Sequence, residues 1–252
     1  MSQTPTPGST HAQATQDLNQ VFRTLQDYPG LTRALIDPGA STQAKQKLVA
    51  TVFPGMAPEA TGKLAEAWKT SWQSTKALVA WVETAAVEAA WTWAALSGTL
   101  VQAIDEVFTF GRMMITDHEL RAAVTDRRVD VVKRQDLVHT ILSPGMTPPA
   151  VAVAVAAVSS RRGTIDDAVR GFIQVGARVA DAQLVVATVA KPLSDQQREN
   201  LGTTLQTRLG SKVILEEIVD PTVLGGVRLE IGSEVIDSTM SSRLEIARRS
   251  FA

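Results

Sequence analysis

The middle of this chain repeats itself, and the repeat limits the folds that are open to it. The segment LTRALID…KQKLVATVFPGMAPEA begins at Leu31, and LRAAVTD…RQDLVHTILSPGMTPPA begins at Leu120. Asp37 and Asp126 match at an offset of 89 residues, and after one inserted residue the two PGM turns match at an offset of 90. A register kept through several helices and a turn predicts two copies of one module, a duplication and not a longer repeat array.

Both copies have helical periodicity. Apolar residues recur at spacings of three and four from Asp17 to Val179, and breakers such as YPG, DPG and SPGMTPP divide them into helices. Each copy is therefore expected to be a helical bundle, and the first lacks a counterpart of an opening helix because only a polar segment precedes Asp17. The stretch AVAVAVAAV (150–158) alternates like a strand, but its alanine content and its flanks favour a buried helix.

The period changes after Ala182. QLVVATVA and KVILEEIV predict two short strands. Between them, Ser194 is a natural helix N-cap, Gln197 completes a capping box, and Gly210 stands where a helix-terminating glycine belongs. The segment therefore predicts a strand, a helix and a second strand.

The chain then turns at Asp220-Pro221, and Gly225-Gly226 is expected to let the backbone bend between two pairing segments. GGVRLEI and EVID alternate like paired strands about a tight turn at Gly232-Ser233. A final amphipathic helix is expected from Ser238.

These patterns predict a multidomain α and α+β protein, with two tandem all-α helical bundles followed by a small C-terminal β-α-β-β-α domain. The predicted segments are a disordered tail (1–16), a first, extra bundle that lacks an opening helix (17–81), a second bundle (82–180) and the C-terminal α+β domain (181–252).

Composition argues against several classes of function. The 252-residue chain has no cysteine, which excludes disulfides, thiolate metal sites and a cysteine nucleophile. Its formal net charge of −1 creates no general attraction to nucleic acid or to an anionic membrane. The start, MSQTPTPGSTHAQATQ, lacks the regions of a signal peptide, and the apolar stretch 150–158 is about half the roughly 20 residues of a transmembrane helix.

Residues for catalysis do not converge in the sequence. Walker, GxGxxG, HExxH, GxSxG and CxxC motifs are all missing, and His11, His118 and His139 are scattered. Neighbouring acids such as Asp166-Asp167 point in different directions on a helix, so they are expected to favour its first turn and not to form an acid–base pair. No catalytic residue, cofactor-binding residue or metal ligand is predicted.

Two further patterns have both a structural and a partner-binding interpretation. SSRRG (159–163) is too small a basic patch for nucleic acid and fits a helix end or a salt bridge to a partner. The five tryptophans all lie in the link between the two copies, where core packing is favoured over an exposed anchor for a partner helix. They are Trp68, Trp72, Trp81, Trp91 and Trp93, and the first two are spaced as on one helical face.

The C-terminal residues resemble the δ subunit of bacterial F-type ATP synthase, the counterpart of the mitochondrial oligomycin-sensitivity-conferring protein. VATVAKPLSDQQRENLGTTL and VDPTVLGGVRLEIGSEVIDSTMSSRLEIARRSF carry the resemblance. The second is close to the family pattern VDPSLIGGVxxxxGDxVIDGSxxxRL, with mild departures at Thr222-Val223, Ser233 and Ser238. The matching positions are Asp220, Pro221, Gly225, Gly226, Gly232, Val235, Ile236, Asp237, Arg243 and Leu244.

The second helical copy, roughly 82–180, also resembles the single N-terminal bundle of typical members, down to SSRRG before its last helix. The first copy departs from that pattern and is similar to the extended form found in actinobacterial enzymes. The resemblance implies a non-catalytic subunit of the peripheral stalk, bound at the cytoplasmic side of the bacterial plasma membrane as part of the synthase. It implies no cofactor.

The implied partners are the catalytic head and the stalk. The second bundle is expected to receive an amphipathic helix from the N-terminus of an α subunit, and the C-terminal domain to hold the end of a b-type subunit. The groove is expected between the first and fifth helices of that bundle. The residues predicted to line it are Ala90, Trp91, Ala94, Val169, Phe172 and Ile173.

Other functions stay open at this point. A helical adaptor of an unrelated assembly, an enzyme built from ordinary polar residues at the domain junction, and a nucleic-acid-binding protein are the alternatives. Three roles stay open for the extra copy: to receive a second α subunit, to receive the stalk, or only to stiffen the junction.

Overall fold

The computed structural model describes residues 7–223, 225–231 and 234–237. These ranges contain eleven helices and a four-stranded mixed sheet, so the protein is mostly helical with a small β-containing part near the C-terminus. The chain divides into two compact units, Met1–Gly176 and Ala177–Ala252.

Ten helices make up the first unit, and the last of them continues past its end. The helices are α1 (Pro7–Asp27), α2 (Pro29–Ile36), α3 (Thr42–Val52), α4 (Pro58–Ala67), α5 (Thr75–Leu96), α6 (Leu100–Thr116), α7 (His118–Thr125), α8 (Val131–Leu142), α9 (Pro148–Ser159) and α10 (Ile165–Val179).

The helix bounds repeat along the chain. Helices α2 and α7 are 89 residues apart at both ends, α3 and α8 begin 89 residues apart, and α4 and α9 begin 90 residues apart. Helices α5 and α10 also begin 90 residues apart, so α1–α5 correspond to α6–α10 in order. The offsets are those of the sequence repeat.

Two predicted boundaries are wrong. The division between residues 81 and 82 falls inside α5, a continuous helix, so the chain does not separate there. The predicted disordered tail (1–16) overlaps α1, which begins at Pro7 and buries Ala14 and Thr15. The reason is that this stretch begins a helix whose apolar residues Ala14, Leu18, Val21 and Leu25 pack in the core of the first copy.

Helix α5 belongs to both copies. Leu78, Val82 and Ala86 are part of the core that α1 and α4 also build. Farther along the helix, the indole Nε1 of Trp91 donates a hydrogen bond to the backbone oxygen of Phe172 in α10, at 2.9 Å. The same helix therefore ends the first copy and opens the second.

Each copy contains the same carboxylate contact between helices. Asp17 on α1 accepts a 2.7 Å hydrogen bond from the backbone N–H of Ala57, the N-cap of α4. Glu106 on α6 accepts 2.7 and 2.6 Å hydrogen bonds from the backbone N–H and hydroxyl of Thr147, the N-cap of α9. A negative charge beside the start of a helix satisfies a free amide and matches the helix dipole.

The predicted buried helix at AVAVAVAAV is confirmed as α9. It begins with Pro148 at its first position, where the missing amide hydrogen of proline costs nothing. Val151, Val153, Ala154 and Ala156 are all buried, so the helix is covered on more than one face.

The second unit contains β1 (Ala182–Val189), α11 (Asp195–Leu209), β2 (Lys212–Val219), β3 (Val227–Ile231) and β4 (Glu234–Asp237). The strand order is β2-β1-β3-β4, with β1 parallel to β2 and the other two pairs antiparallel. The predicted strand–helix–strand segment is confirmed, because α11 joins the parallel pair as a crossover helix. Ser194 and Gln197 form the capping box, and Gly210 ends the helix at φ 64°.

The predicted turns of this unit are confirmed where the structure describes them. The backbone N–H of Val223 bonds to the oxygen of Asp220 at 3.1 Å, which closes the turn around Pro221. Gly225 and Gly226 have φ of 89° and 88°, a region that side chains rarely enter. Ile231 at the end of β3 pairs with Glu234 at the start of β4. The predictions for Gly232 and the Gly232-Ser233 turn, for Arg243 and Leu244, and for the final helix concern residues outside the described ranges.

We expect the two carboxylate contacts to be necessary for the stability of their copies. Asp17→Ala and Glu106→Ala should each lower the free energy of unfolding by about 1–3 kcal/mol, because a helix N-terminal amide then has no acceptor. Urea unfolding followed by tryptophan fluorescence measures this, since all five tryptophans lie in the first unit. Asp105→Ala is the matched control, because Asp105 is exposed beside Glu106, and an equal loss there would contradict the prediction.

Candidate functional site

The residues predicted to line a partner groove form the core instead. Exposure is 4% or less at every one of Ala90, Trp91, Ala94, Val169, Phe172 and Ile173. A Cβ on Gly176 would lie 2.9 Å from the Trp91 ring, so α10 and α5 are in close contact there. The prediction of these six as a groove is wrong because the strongest apolar stripe of a helix in a bundle faces its own core.

The predicted place of three of these residues in the helix order of the second copy is also wrong. Val169, Phe172 and Ile173 lie on α10, which is the sixth helix of the second copy, whereas the fifth is α9. Helix α9 is adjacent to α5, α6 and α8 within its own copy and also to α1 of the first copy. Gln26 near the end of α1 donates a 3.4 Å hydrogen bond to the backbone oxygen of Ser159.

A comparison of α9 with α4 explains why α9 is apolar all round. Val151 and Ala156 are buried on α9, while Thr61 and Glu66 at the corresponding places on α4 are exposed. Only one face of α4 is covered, so its other face is polar. Helix α9 faces both copies and therefore has apolar residues on both sides.

An open channel of about 420 Å³ lies between the two copies. One wall is α1, through Ala12, Gln16, Asn19 and Arg23, which follow one another by four, three and four residues and so share one helical face. We call the space the α1/α9 channel, because the facing wall is α9.

The α9 wall is formed by Pro148, Val151, Ala152 and Val155, again a single helical stripe. Other lining residues come from α5 and α8 and the loop after α8; they are Trp93, Gln135, His139, Ser143 and Met146. Thus the first and fifth helices of the second copy do line an open surface, together with α1 and α8, but with residues different from the six predicted.

The lining of the α1/α9 channel contains one charged side chain, the guanidinium of Arg23. Arg23 is partly buried at its wall, and none of the residues that line it is an aspartate or glutamate. Within the part of the chain that the structure describes, Arg23 forms no ion pair. His139 on α8 also lines the channel, and its Nδ1 lies 3.2 Å from the hydroxyl oxygen of Ser143.

The SSRRG segment fastens α9 and α10 to α5. The guanidinium of Arg162 donates through Nε to the buried carboxylate of Glu83 and through a second nitrogen to the Thr84 hydroxyl, at 2.5 Å. It also lies 5.6 Å from the centre of the Phe172 ring. The second carboxylate oxygen of Glu83, Oε1, is buried and has no hydrogen-bond partner. The basic pair was predicted to end a helix or to form a salt bridge with a partner, whereas Arg162 forms a salt bridge within the chain.

The adjacent acids at the start of α10 have separate tasks, as predicted. Asp166 accepts two hydrogen bonds from Arg121 on α7, at 3.1 and 2.6 Å. These hydrogen bonds and the charge of Asp166 raise the pKa of Arg121. Asp167 accepts from the backbone N–H and the hydroxyl of Thr164, and these bonds lower the pKa of its carboxyl. The two carboxylates therefore bond to different partners.

The tryptophans divide between the core and partly exposed positions. Trp68 and Trp91 are buried, whereas Trp72 and Trp81 are partly exposed and form an edge-on ring pair with centroids 5.9 Å apart. The predicted common helical face of Trp68 and Trp72 is wrong, since α4 ends at Ala67. Trp93 lies in the α1/α9 channel.

Several residues of the family pattern in the second unit lie within the described ranges. Asp220 accepts from the hydroxyl of Thr222 at 2.7 Å and from its backbone N–H at 2.9 Å. These bonds, with the hydroxyl contributing most, lower the pKa of the Asp220 carboxyl. Val235, Ile236 and Asp237 lie on β4 and pair with β3. The described part of the pattern therefore fixes a turn and a hairpin.

Across residues 7–223, 225–231 and 234–237, no three His, Asp or Glu side chains are grouped so that they would hold a metal ion. In the same ranges, every helix is too short or too polar to cross a bilayer.

Comparisons with known proteins identify relatives of this chain. A family model described as ATP synthase delta (OSCP) subunit matches residues 86–251. The ATP synthase subunit delta of Streptomyces avermitilis is 35% identical over 242 residues, 95% of this chain and 89% of the relative. That of Cutibacterium acnes is 32% identical over 246 residues, 96% of this chain and 94% of the relative.

The coverage of these relatives includes the first copy, although the family model begins only inside α5. The extended form is therefore shared with relatives in actinobacteria. A chain of the solved Toxoplasma gondii mitochondrial ATP synthase hexamer is similar over 67% of this chain and 96% of that chain, with 19% identity and a TM-score of 0.42. That likeness is too weak for a comparison of the folds.

We expect Arg162→Met to lower the free energy of unfolding by about 3 kcal/mol, because it leaves the Glu83 carboxylate buried without a counter-charge. Arg161→Met is the matched control, since Arg161 is exposed beside it, and should stay within about 0.5 kcal/mol of the parent. Urea unfolding measures both. The double variant Glu83→Leu/Arg162→Met should regain most of the loss, and a double variant no more stable than Arg162→Met would contradict the explanation.

We expect Asp220 to titrate below the ordinary range of aspartate and Thr222→Val to raise its pKa part of the way back. A carboxyl whose folded-state pKa is lowered contributes stability above its unfolded pKa, near 3.9, and that contribution is lost as pH falls through the folded pKa. Carboxyl-carbon NMR against pH follows the titration. Thr207→Val, an exposed threonine on α11, should leave it unchanged; an unchanged curve for Thr222→Val would refute the hydrogen-bond explanation.

Proposed function

Because the chain belongs to the ATP synthase delta (OSCP) subunit family, we propose that this non-catalytic stator subunit joins the catalytic head to the peripheral stalk through two separate contacts. The match over residues 86–251 carries the proposal, since it runs from α5 through α6–α10 and the second unit. A stator must resist rotation, and a protein with this task needs stable docking surfaces and no reactive groups.

The first contact is with the head. The N-terminal helix of an α subunit docks on the bundle α5–α10, as an amphipathic helix in a groove. The α1/α9 channel supports this assignment, because it is open and bordered by α5 and α9. The six residues predicted from the sequence do not line this channel, because they are buried in the core of the bundle.

The second contact is with the stalk. The second unit holds the end of a b-type subunit, and the family match extends through it to residue 251. Two moderate contacts on one chain act together, since the first raises the effective concentration of the second. The subunit is then held more firmly than by either contact alone.

The architecture proposed for the helical unit is two bundles that share α5. In the described residues, the first bundle consists of α1–α5 and the second of α5–α10. The repeated helix bounds and the repeated carboxylate contacts support this arrangement. As part of the synthase, the chain is a peripheral component of a membrane complex, at the cytoplasmic side of the plasma membrane in bacteria.

We expect membranes depleted of this chain to lose proton-driven ATP synthesis while the head still hydrolyses ATP. Without a stator the head turns with the rotor, so torque does no work on the catalytic sites. ATP synthesis by energised inverted vesicles and ATP hydrolysis by the soluble fraction measure the two activities.

Adding back the purified full chain should restore synthesis and return the head to the membrane fraction. The Arg161→Met variant should restore it equally, because Arg161 lies on an exposed position outside both proposed contacts. Undiminished synthesis in depleted membranes would contradict the proposed function.

A further inference from the structure

We propose that the α1/α9 channel is a docking site built jointly by the two copies, and that its occupant is an amphipathic helix with an acidic side chain that pairs with Arg23. The proposal rests on the proposed function, because it specifies where the helix from the head binds. It also assigns a task to the extra copy, whose α1 supplies one wall.

The shape of the channel suits one face of a helix. Its α1 wall extends from Ala12 to Arg23, which is about 16 Å along a helix axis and three turns. A whole helix is roughly 10–12 Å across with its side chains. A channel of about 420 Å³ therefore admits the side chains of one face, while the backbone of the docked helix lies over the opening.

The apolar part of the lining provides the anchor. Val151 and Val155 on α9 and Trp93 on α5 border the same space as Met146. A tryptophan that is partly exposed inside a concave surface is the type of residue that often dominates the affinity of an interface. Apolar side chains of a docked helix that enter this space would remove these groups from water.

The charge of the lining selects the occupant. Arg23 has no ion-pair partner in the described ranges, and the lining contains no acid that would neutralise it. A partly buried guanidinium favours a carboxylate, with which it forms paired hydrogen bonds. A helix with a basic or neutral inserted face would leave this cation uncompensated, so the site discriminates in favour of an acid.

The corresponding surface of the first copy is unsuited to the same task. Thr61, Lys63 and Glu66 stand on α4 where α9 has Val151, Val153 and Ala156. Lys63 forms an ion pair with Glu88 at 3.2 Å across this surface. The duplication therefore did not produce two equal acceptors; it placed α1 beside α9 and so extended the surface of the second copy.

The test uses the full chain and a synthetic peptide of the host's α-subunit N-terminal segment, with affinity measured by isothermal titration. Arg23→Glu should weaken binding at least tenfold. Ala152→Phe, which fills the channel from α9, should weaken it by a similar factor. Lys47→Glu makes the same change of charge on exposed α3 and should leave the affinity within twofold. Circular dichroism and urea unfolding verify that each variant is folded.

Charge reversal provides a second readout. Each acid of the peptide is replaced in turn by arginine, and one such peptide should bind Arg23→Glu better than the parent chain. Binding that is unaffected by Arg23→Glu and Ala152→Phe overturns the inference and leaves the proposed function intact. If neither the peptide nor the purified head binds the parent chain, the proposed function itself fails.

Discussion

The structure of the helical unit depends on α5 being covered by both copies. Among the six residues Val82–Val87 only Thr84 is not buried, so this helix has almost no free face there. A helix apolar on all sides is stable only when neighbours surround it, and here the neighbours are α1, α2 and α4 from one copy and α6 and α9 from the other. The core of the first copy includes residues of α5, the helix that also opens the second copy, so the duplicated part forms one unit.

Features set by local sequence could be predicted, whereas the sharing of α5 between the two copies could not. The repeat, the helical nature of AVAVAVAAV and the turn at Asp220 were predictable, because local spacing and turn residues determine them. The boundary at residue 81 was not, since a shared helix has the same periodicity as two separate ones. The carboxylate contacts were missed because the repeat was found by matching identical residues. Asp17 and Glu106 occupy equivalent positions but differ in type, so the match did not show that both accept a hydrogen bond from the start of a helix.

The groove prediction failed for a related reason. Hydrophobic spacing identifies which face of a helix is buried, but it does not say whether the chain or a partner covers that face. Trp91 and Phe172 are covered by their own bundle, whereas the channel residues Gln16, Asn19 and Arg23 are polar or charged and gave no apolar signal. The usable signal was the contrast between α9 and α4, since apolar residues on the second face of α9 require a neighbour outside the bundle.

The arrangement has a mechanical consequence for a stator. A load applied to a helix docked between α1 and α9 is carried by both walls, and each wall belongs to a different copy. Separation of the walls is opposed by the shared core of α5, by the Gln26–Ser159 hydrogen bond and by the Arg162–Glu83 ion pair at the end of α9. Displacement of one wall therefore requires work against packing in both copies. In the proposed docking mode, the extra copy would strengthen the attachment, because the α5 core holds its α1 wall in place.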